Sequence, residues 1–172
     1  MLAWVSGVFA EGKPKLVVGV VISHFYPEWL EMYGDQLSEG GLKRVMKQGA
    51  RVNANYNYFY TQTGVDHASI YTGMLPTEHG IVSRAWYDRL RRKRQFATAS
   101  DRYTEIGEQQ GDSVKSLTPD YLQTMSLGSA MKWNNPLSRV FSIAMNGDEA
   151  VLSGGSSADM AIWFSEKTGK WV

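Results

Sequence analysis

The 172-residue chain contains no cysteine, which excludes disulfides and thiolate metal sites. That absence is compatible with an oxidising compartment without establishing one. Net charge is nearly absent too. Eighteen Lys+Arg against 17 Asp+Glu leave +1, so no global field argues for a nucleic acid or an anionic membrane as partner. No transmembrane segment is expected, because no apolar run approaches the ~20 residues that a bilayer-spanning helix needs. Internal repeats and long low-complexity linkers are also missing. What is present, 43% hydrophobic and 20% charged residues, suits one globular domain with a real core.

The first ten residues, MLAWVSGVFA, are mostly apolar and run straight into the polar EGKPK. Val8-Phe9-Ala10 before Glu11 is spaced like a signal-peptidase site, although the usual positive n-region is missing. Residues 1–10 therefore read as a clipped signal peptide, and residues 11–172 as the domain. The expected location is outside the cytoplasm, in the periplasm or on the outer surface of a bacterium.

Leu16 to Ser23 (LVVGVVIS) is a continuous β-branched run, which predicts a strand buried on both faces. Pro27 predicts a helix start, with Trp29, Leu30 and Tyr33 on one face before Gly34. Leu42, Val45 and Met46 form a stripe at helical spacing, and Gly49 is the expected cap. The run RVNANYNYFY is extended in character, and a helix is expected from Gly64 to Thr72. Phe96 to Lys115 reads as an irregular surface excursion. Thr118, Pro119 and Asp120 predict a helix start, Arg139 to Met145 a buried strand, and Met160 to Val172 a hairpin turning through Glu166 to Gly169. The alternation of strands and helices is that of an α/β domain. Its last strand ends at Trp171-Val172 with nothing beyond it to close the edge.

The stretch YTQTGVDHASIYTG places Thr63 where an extended segment meets a helix. A helix N-terminus exposes unpaired N–H groups and partial positive charge, so it attracts phosphate. Gly64 allows close backbone approach. A hydroxyl there is placed for attack on a phosphoryl group but needs activation, normally by a metal ion. From local sequence alone, a simple helix cap is the more common role for such a threonine.

The segments KPKLVVGVVI, GGLKRVMKQGA, TQTGVDHASIYTGMLPTEHGI, WYDR, RVFSIA, AVLSGGSSADMAIWF and TGKWV occur in order. Together they resemble the N-terminal third of the alkaline phosphatase superfamily, in particular PafA-like bacterial phosphatases and the related nucleotide pyrophosphatases/phosphodiesterases. The resemblance covers most of residues 13 to 172. It implies a mostly parallel sheet flanked by helices, incomplete at its C-terminal end, and hydrolysis of phosphate esters or phosphodiesters with two zinc ions. It also implies that Thr63, the second threonine of T-x-T-G-x-x-H, is the metal-bound nucleophile; Gly64, through its open backbone, is a candidate substrate contact beside it.

Four positions depart from that pattern. Ser23 stands where the family's first strand ends in a metal-ligating aspartate. Arg84 stands where an asparagine contacts a phosphoryl oxygen, and arginine retains the chemistry to bind phosphate. Asn146 and Asp148 stand where a lysine and an arginine face the transferring group, and Asp148 is expected to repel a dianion. The family's other metal ligands lie in C-terminal segments beyond this sequence. Little or no turnover is therefore expected. Either these residues are a fragment of a longer, divergent enzyme, or they come from a pseudoenzyme lineage kept for binding. The four replacements favour the second.

The remaining candidates have ordinary readings. His67 and His79 match motif histidines that are usually structural. His24 follows the missing aspartate, but strand alternation would aim it away. Asp66 suits a first-turn acid. Arg89 to Arg94 (RLRRKR) carries five basic residues in six, and is expected to be a solvated loop without an aromatic platform.

Overall fold

The computed structural model describes residues 14–100, 106 and 116–172. The signal-like residues 1–10 and most of the 96–115 excursion lie outside the described residues. The chain divides into two compact units, one up to Ala54 and one from Asn55.

The first unit holds helix α1 (Glu28–Met32), a 3-10 turn (Gly34–Gln36) and helix α2 (Leu42–Gln48). Pro27 precedes α1 as expected, and Gly49 receives the end of α2 by donating its N–H to Val45 O at 2.8 Å. Glu39 pairs with Lys43 at 2.7 Å and Lys47 at 2.8 Å, which draws its carboxyl below the ordinary range. The expected strand over Leu16 to Ser23 does not form: Leu16 to Ile22 has no ladder, and Ser23-His24 is a turn. A strand exists only by its neighbours, and among the described residues of this unit there is no strand to pair with.

The second unit is α/β. Helix α3 (Thr63–Thr72) ends on Gly73 in the left-handed conformation, as the sequence predicts, and starts one residue earlier than expected. The short α4 (Pro76–His79) follows. Strands β1 (Ala85–Asp88) and β2 (Lys93–Phe96) form an antiparallel hairpin, and β3 (Ala99–Ser100) pairs with β4 (Ser116–Leu117). Then come α5 (Leu127–Asn134), β5 (Phe141–Ala144), α6 (Gly147–Gly154), β6 (Met160–Ser165) and β7 (Lys170–Trp171). Strands β5 and β6 are parallel with α6 as the crossover, and β7 returns antiparallel through Gly169, so the hairpin is found where expected. The buried centre joins Val65 and Ala68 of α3, Ile81, Ala97, and Val151 and Leu152 of α6, with Trp86, Tyr121 and Trp163 packed on it.

Four expectations are corrected here. Residues 51–60 form no ladder. Thr118 is not a helix cap: its N–H goes to Thr98 O at 2.7 Å, extending the β3–β4 pairing, and its hydroxyl is buried without a partner. The helix begins eight residues later, where Ser126 Oγ accepts from Ser129 N–H. Phe96 to Ser100 is not a surface excursion, because Ala97 and Thr98 are buried and β3 follows. Strand β5 forms but is buried on neither face, with Phe141 and Ile143 exposed while Ser142 and Ala144 are half-buried.

Candidate active site

Thr63 is the first residue of α3, and the residue before it, Gln62, takes the N-cap place without capping. The Gln62 side chain is drawn elsewhere. Its Oε1 accepts from Arg84 N–H at 2.8 Å and from Ser83 Oγ at 3.3 Å, and its Nε2 donates to Tyr60 OH at 2.7 Å. The helix's first internal bond is Asp66 N–H to Gln62 O, so the N–H groups of Thr63, Gly64 and Val65 precede the ladder. Thr63 itself is exposed at this positive end.

Helix α6 lies against the same turn. A Cβ on Gly64 would come 3.3 Å from Leu152 Cδ1 and 4.0 Å from Asp148 Cβ. The close approach that this glycine permits is therefore to α6. Asn146 is the N-cap of α6, its Oδ1 accepting from Asp148 N–H at 3.0 Å. Asp148 accepts from the Thr98 hydroxyl on one oxygen and meets Arg84 Nε at 3.3 Å with the other. The two replacements Arg84 and Asp148 are thus an ion pair, with Asp148 mostly covered and Arg84 largely exposed. Sequence reasoning weighed them one at a time, and it missed Gln62 and Thr98, which hold them.

Two carboxylates near this turn are engaged. Asp66, a first-turn acid as expected, accepts from Tyr58 OH at 2.9 Å, and Asp148 is taken by Arg84 and Thr98. Among the described residues no three of His, Asp or Glu converge as a ligand set. Zinc sites need several free anionic or imidazole donors, so the described residues do not fit a two-zinc pair. Ser23 and His24 belong to the first unit, in a turn rather than at a strand end. Alternation therefore says nothing about His24, whose φ is 57°.

Both motif histidines are buried in the core-facing side of α3 and α4. His79 Nδ1 accepts from Ile81 N–H at 3.1 Å, which leaves Nε2–H to face Ser69 Oγ at 2.9 Å. His67 Nδ1 meets Ser153 Oγ at 2.9 Å. Burial lowers both pKa values. The folded state then binds fewer protons than the unfolded one below an ordinary histidine pKa of about 6.5. Stability is full above that value and falls as pH drops, by up to about 1.4 kcal/mol per pH unit per histidine. Urea midpoints at pH 7.5, 6.0 and 5.0 should decline in that order; a flat series would remove the histidines from the account.

The family profile of type I phosphodiesterase / nucleotide pyrophosphatase matches residues 17–169. The chain is 32% identical to alkaline phosphatase PafA of Elizabethkingia meningoseptica, over 93% of this chain and 30% of that protein. It is 28% identical to alkaline phosphatase PhoV of Synechococcus elongatus, over 93% of this chain and 29% of the relative. It therefore spans about a third or less of these relatives. A crystal structure of PafA carrying four substitutions superposes with a TM-score of 0.85 at 30% identity, covering 94% of this chain and 32% of that one. The residues substituted there, a threonine, an asparagine, a lysine and an arginine, follow one another at the same intervals as Thr63, Arg84, Asn146 and Asp148 here. The chain belongs to the type I phosphodiesterase / nucleotide pyrophosphatase family, as a PafA-like relative in the alkaline phosphatase superfamily.

Proposed function

We propose that this chain is the nucleophile-bearing part of a phosphate-ester hydrolase domain whose phosphoryl contacts have been rewritten, so that these residues alone turn over little or no substrate. By family, the reaction is metal-dependent hydrolysis of phosphate monoesters or diesters with Thr63 as the nucleophile, and zinc, when bound, would supply the activation of its hydroxyl. One observation carries the reading: Arg84 and Asp148 are bonded to each other. Phosphoryl transfer depends on positive groups held ready for the charge that develops. Here the guanidinium already faces a carboxylate, and that carboxylate stands where an approaching phosphoryl group needs a cation. Asn146 is committed to capping α6. Losing one such contact costs about 10²–10³-fold in rate.

The second reading, a catalytically inactive binding or interaction domain, draws on the same ion pair. Export of the protein is part of both readings and rests on the composition of Met1 to Ala10. The test is hydrolysis of an aryl phosphate and a bis-aryl phosphate with added zinc, wild type beside Thr63→Ala. The two proteins should match each other and the buffer within about twofold. Zinc-dependent turnover that vanishes in Thr63→Ala would show a working site and overturn the impairment.

A further inference from the structure

The β1–β2 hairpin has a tip that the site does not use. Asp88 Oδ1 accepts from Leu90 N–H at 2.9 Å and Arg91 N–H at 3.0 Å, and Arg92 takes a φ of 52°, so Arg89 to Arg92 is a tight, built turn. Leu90 projects from it at 96% exposure. Cations surround it. Arg91 is held by Tyr121 OH at 3.1 Å and Asp88 at 3.7 Å. Among the described residues no carboxylate pairs with Arg89, Arg92, Lys93 or Arg94. Only the first four of the six residues form a loop, since Lys93 and Arg94 lie on β2. The aromatic platform that the sequence seemed to lack is also there: Tyr87 is opposite Arg94 in the ladder, and Arg94 lies 5.1 Å over the Phe96 ring on the same outer face. Both rings are exposed.

We propose that this hairpin tip docks on an anionic lipid surface, Leu90 entering the headgroup–acyl boundary while Arg89, Arg92, Lys93 and Arg94 meet lipid phosphates. The charge of the tip is complementary to that surface and to nothing paired with it in the described chain. A soluble polyanion would account for the cations but gives no reason for a leucine at the apex. Interfacial segments combine an inserted apolar group, flanking Lys/Arg and aromatic rings at headgroup level. Each cation near an anionic surface is worth about fivefold in affinity.

The experiment is cosedimentation of the full 172-residue chain with phosphatidylcholine vesicles, with and without about one third phosphatidylglycerol. The wild type should bind the anionic vesicles more tightly than the zwitterionic ones. Arg92→Gln and Lys93→Gln should each lose about fivefold, and Leu90→Ser should lose at least as much. All three positions are exposed, and circular dichroism checks that the variants fold. Tip variants rather than total binding are decisive, because the apolar Leu16 to Ile22 run offers a second, charge-independent route to lipid. No binding to the anionic vesicles, or full retention by Leu90→Ser or by both charge variants, overturns the proposal. So does displacement by dextran sulfate with wild type and Leu90→Ser equally affine for it, which would make the tip a polyanion site.

Discussion

Leu152→Ala lowers the stability of the second unit by about 2–5 kcal/mol. Leu152 is fully buried, sits on the α6 face toward α3, and shares the core with Val65, Ala68 and Ile81. Truncation removes its transfer free energy and leaves a cavity between two helices that the short strands around them cannot close. A domain of ordinary stability holds about 5–15 kcal/mol, so this is a large fraction. At about 4 °C per kcal/mol the melting temperature falls by roughly 8–20 °C. The variant also tests the packing beside the site. A Cβ at Gly64 would press on Leu152 Cδ1, so Gly64→Ala should cost measurably less in the Leu152→Ala background than in the wild type. Additive costs in that double-mutant cycle would mean that the two helices are not in contact at Gly64.

Asp148→Asn raises the affinity of the chain for inorganic phosphate by about tenfold. Two unit charges about 6 Å apart at an effective dielectric of about 20 interact by about 3 kcal/mol, and solvent screening at a guanidinium as exposed as Arg84 leaves roughly half. The substitution removes the repelling carboxylate and releases Arg84 in one step. The amide oxygen it introduces can still accept from the Thr98 hydroxyl, and the lost first-turn charge on α6 costs only about 0.3–1 kcal/mol. Calorimetric titration with phosphate reads the effect directly. Adding Arg84→Ala to Asp148→Asn should abolish the gain. Equal affinity in wild type and Asp148→Asn would show that the ion pair does not govern access of an anion to the first turn of α3.

Local signals were legible where one segment contains its own answer. The stripe Leu42, Val45, Met46 with Gly49 gave α2, Gly73 gave the end of α3, and Gly169 gave the β6–β7 turn. Failures came where a distant partner decides. Thr118-Pro119-Asp120 is a good helix start in isolation, but Thr98 O, twenty residues upstream, claims the Thr118 N–H first. The β-branched run from Leu16 is a good strand in isolation and finds no ladder. The site follows the same rule. Thr63, Arg84, Asn146 and Asp148 were singled out by motif and register, and their spacing is that of the four residues substituted in the PafA structure. That Arg84 neutralises Asp148, and that Gln62 and Thr98 brace the pair, depends on contacts among the residues just before α3 and β1, the β2–β3 link and α6 that no spacing encodes.

Position 84 is held by its main chain. Its N–H goes to Gln62 and its C=O accepts from Ala97 N–H at 3.0 Å, and neither bond depends on the side chain there. A lineage can therefore exchange the residue at 84 without refolding the loop that carries it, and a compensating change at 148 lies within reach of a single side chain. Such a scaffold separates heredity of shape from heredity of chemistry. The side chain at 84 can differ while the main-chain bonds that hold its loop stay as they are.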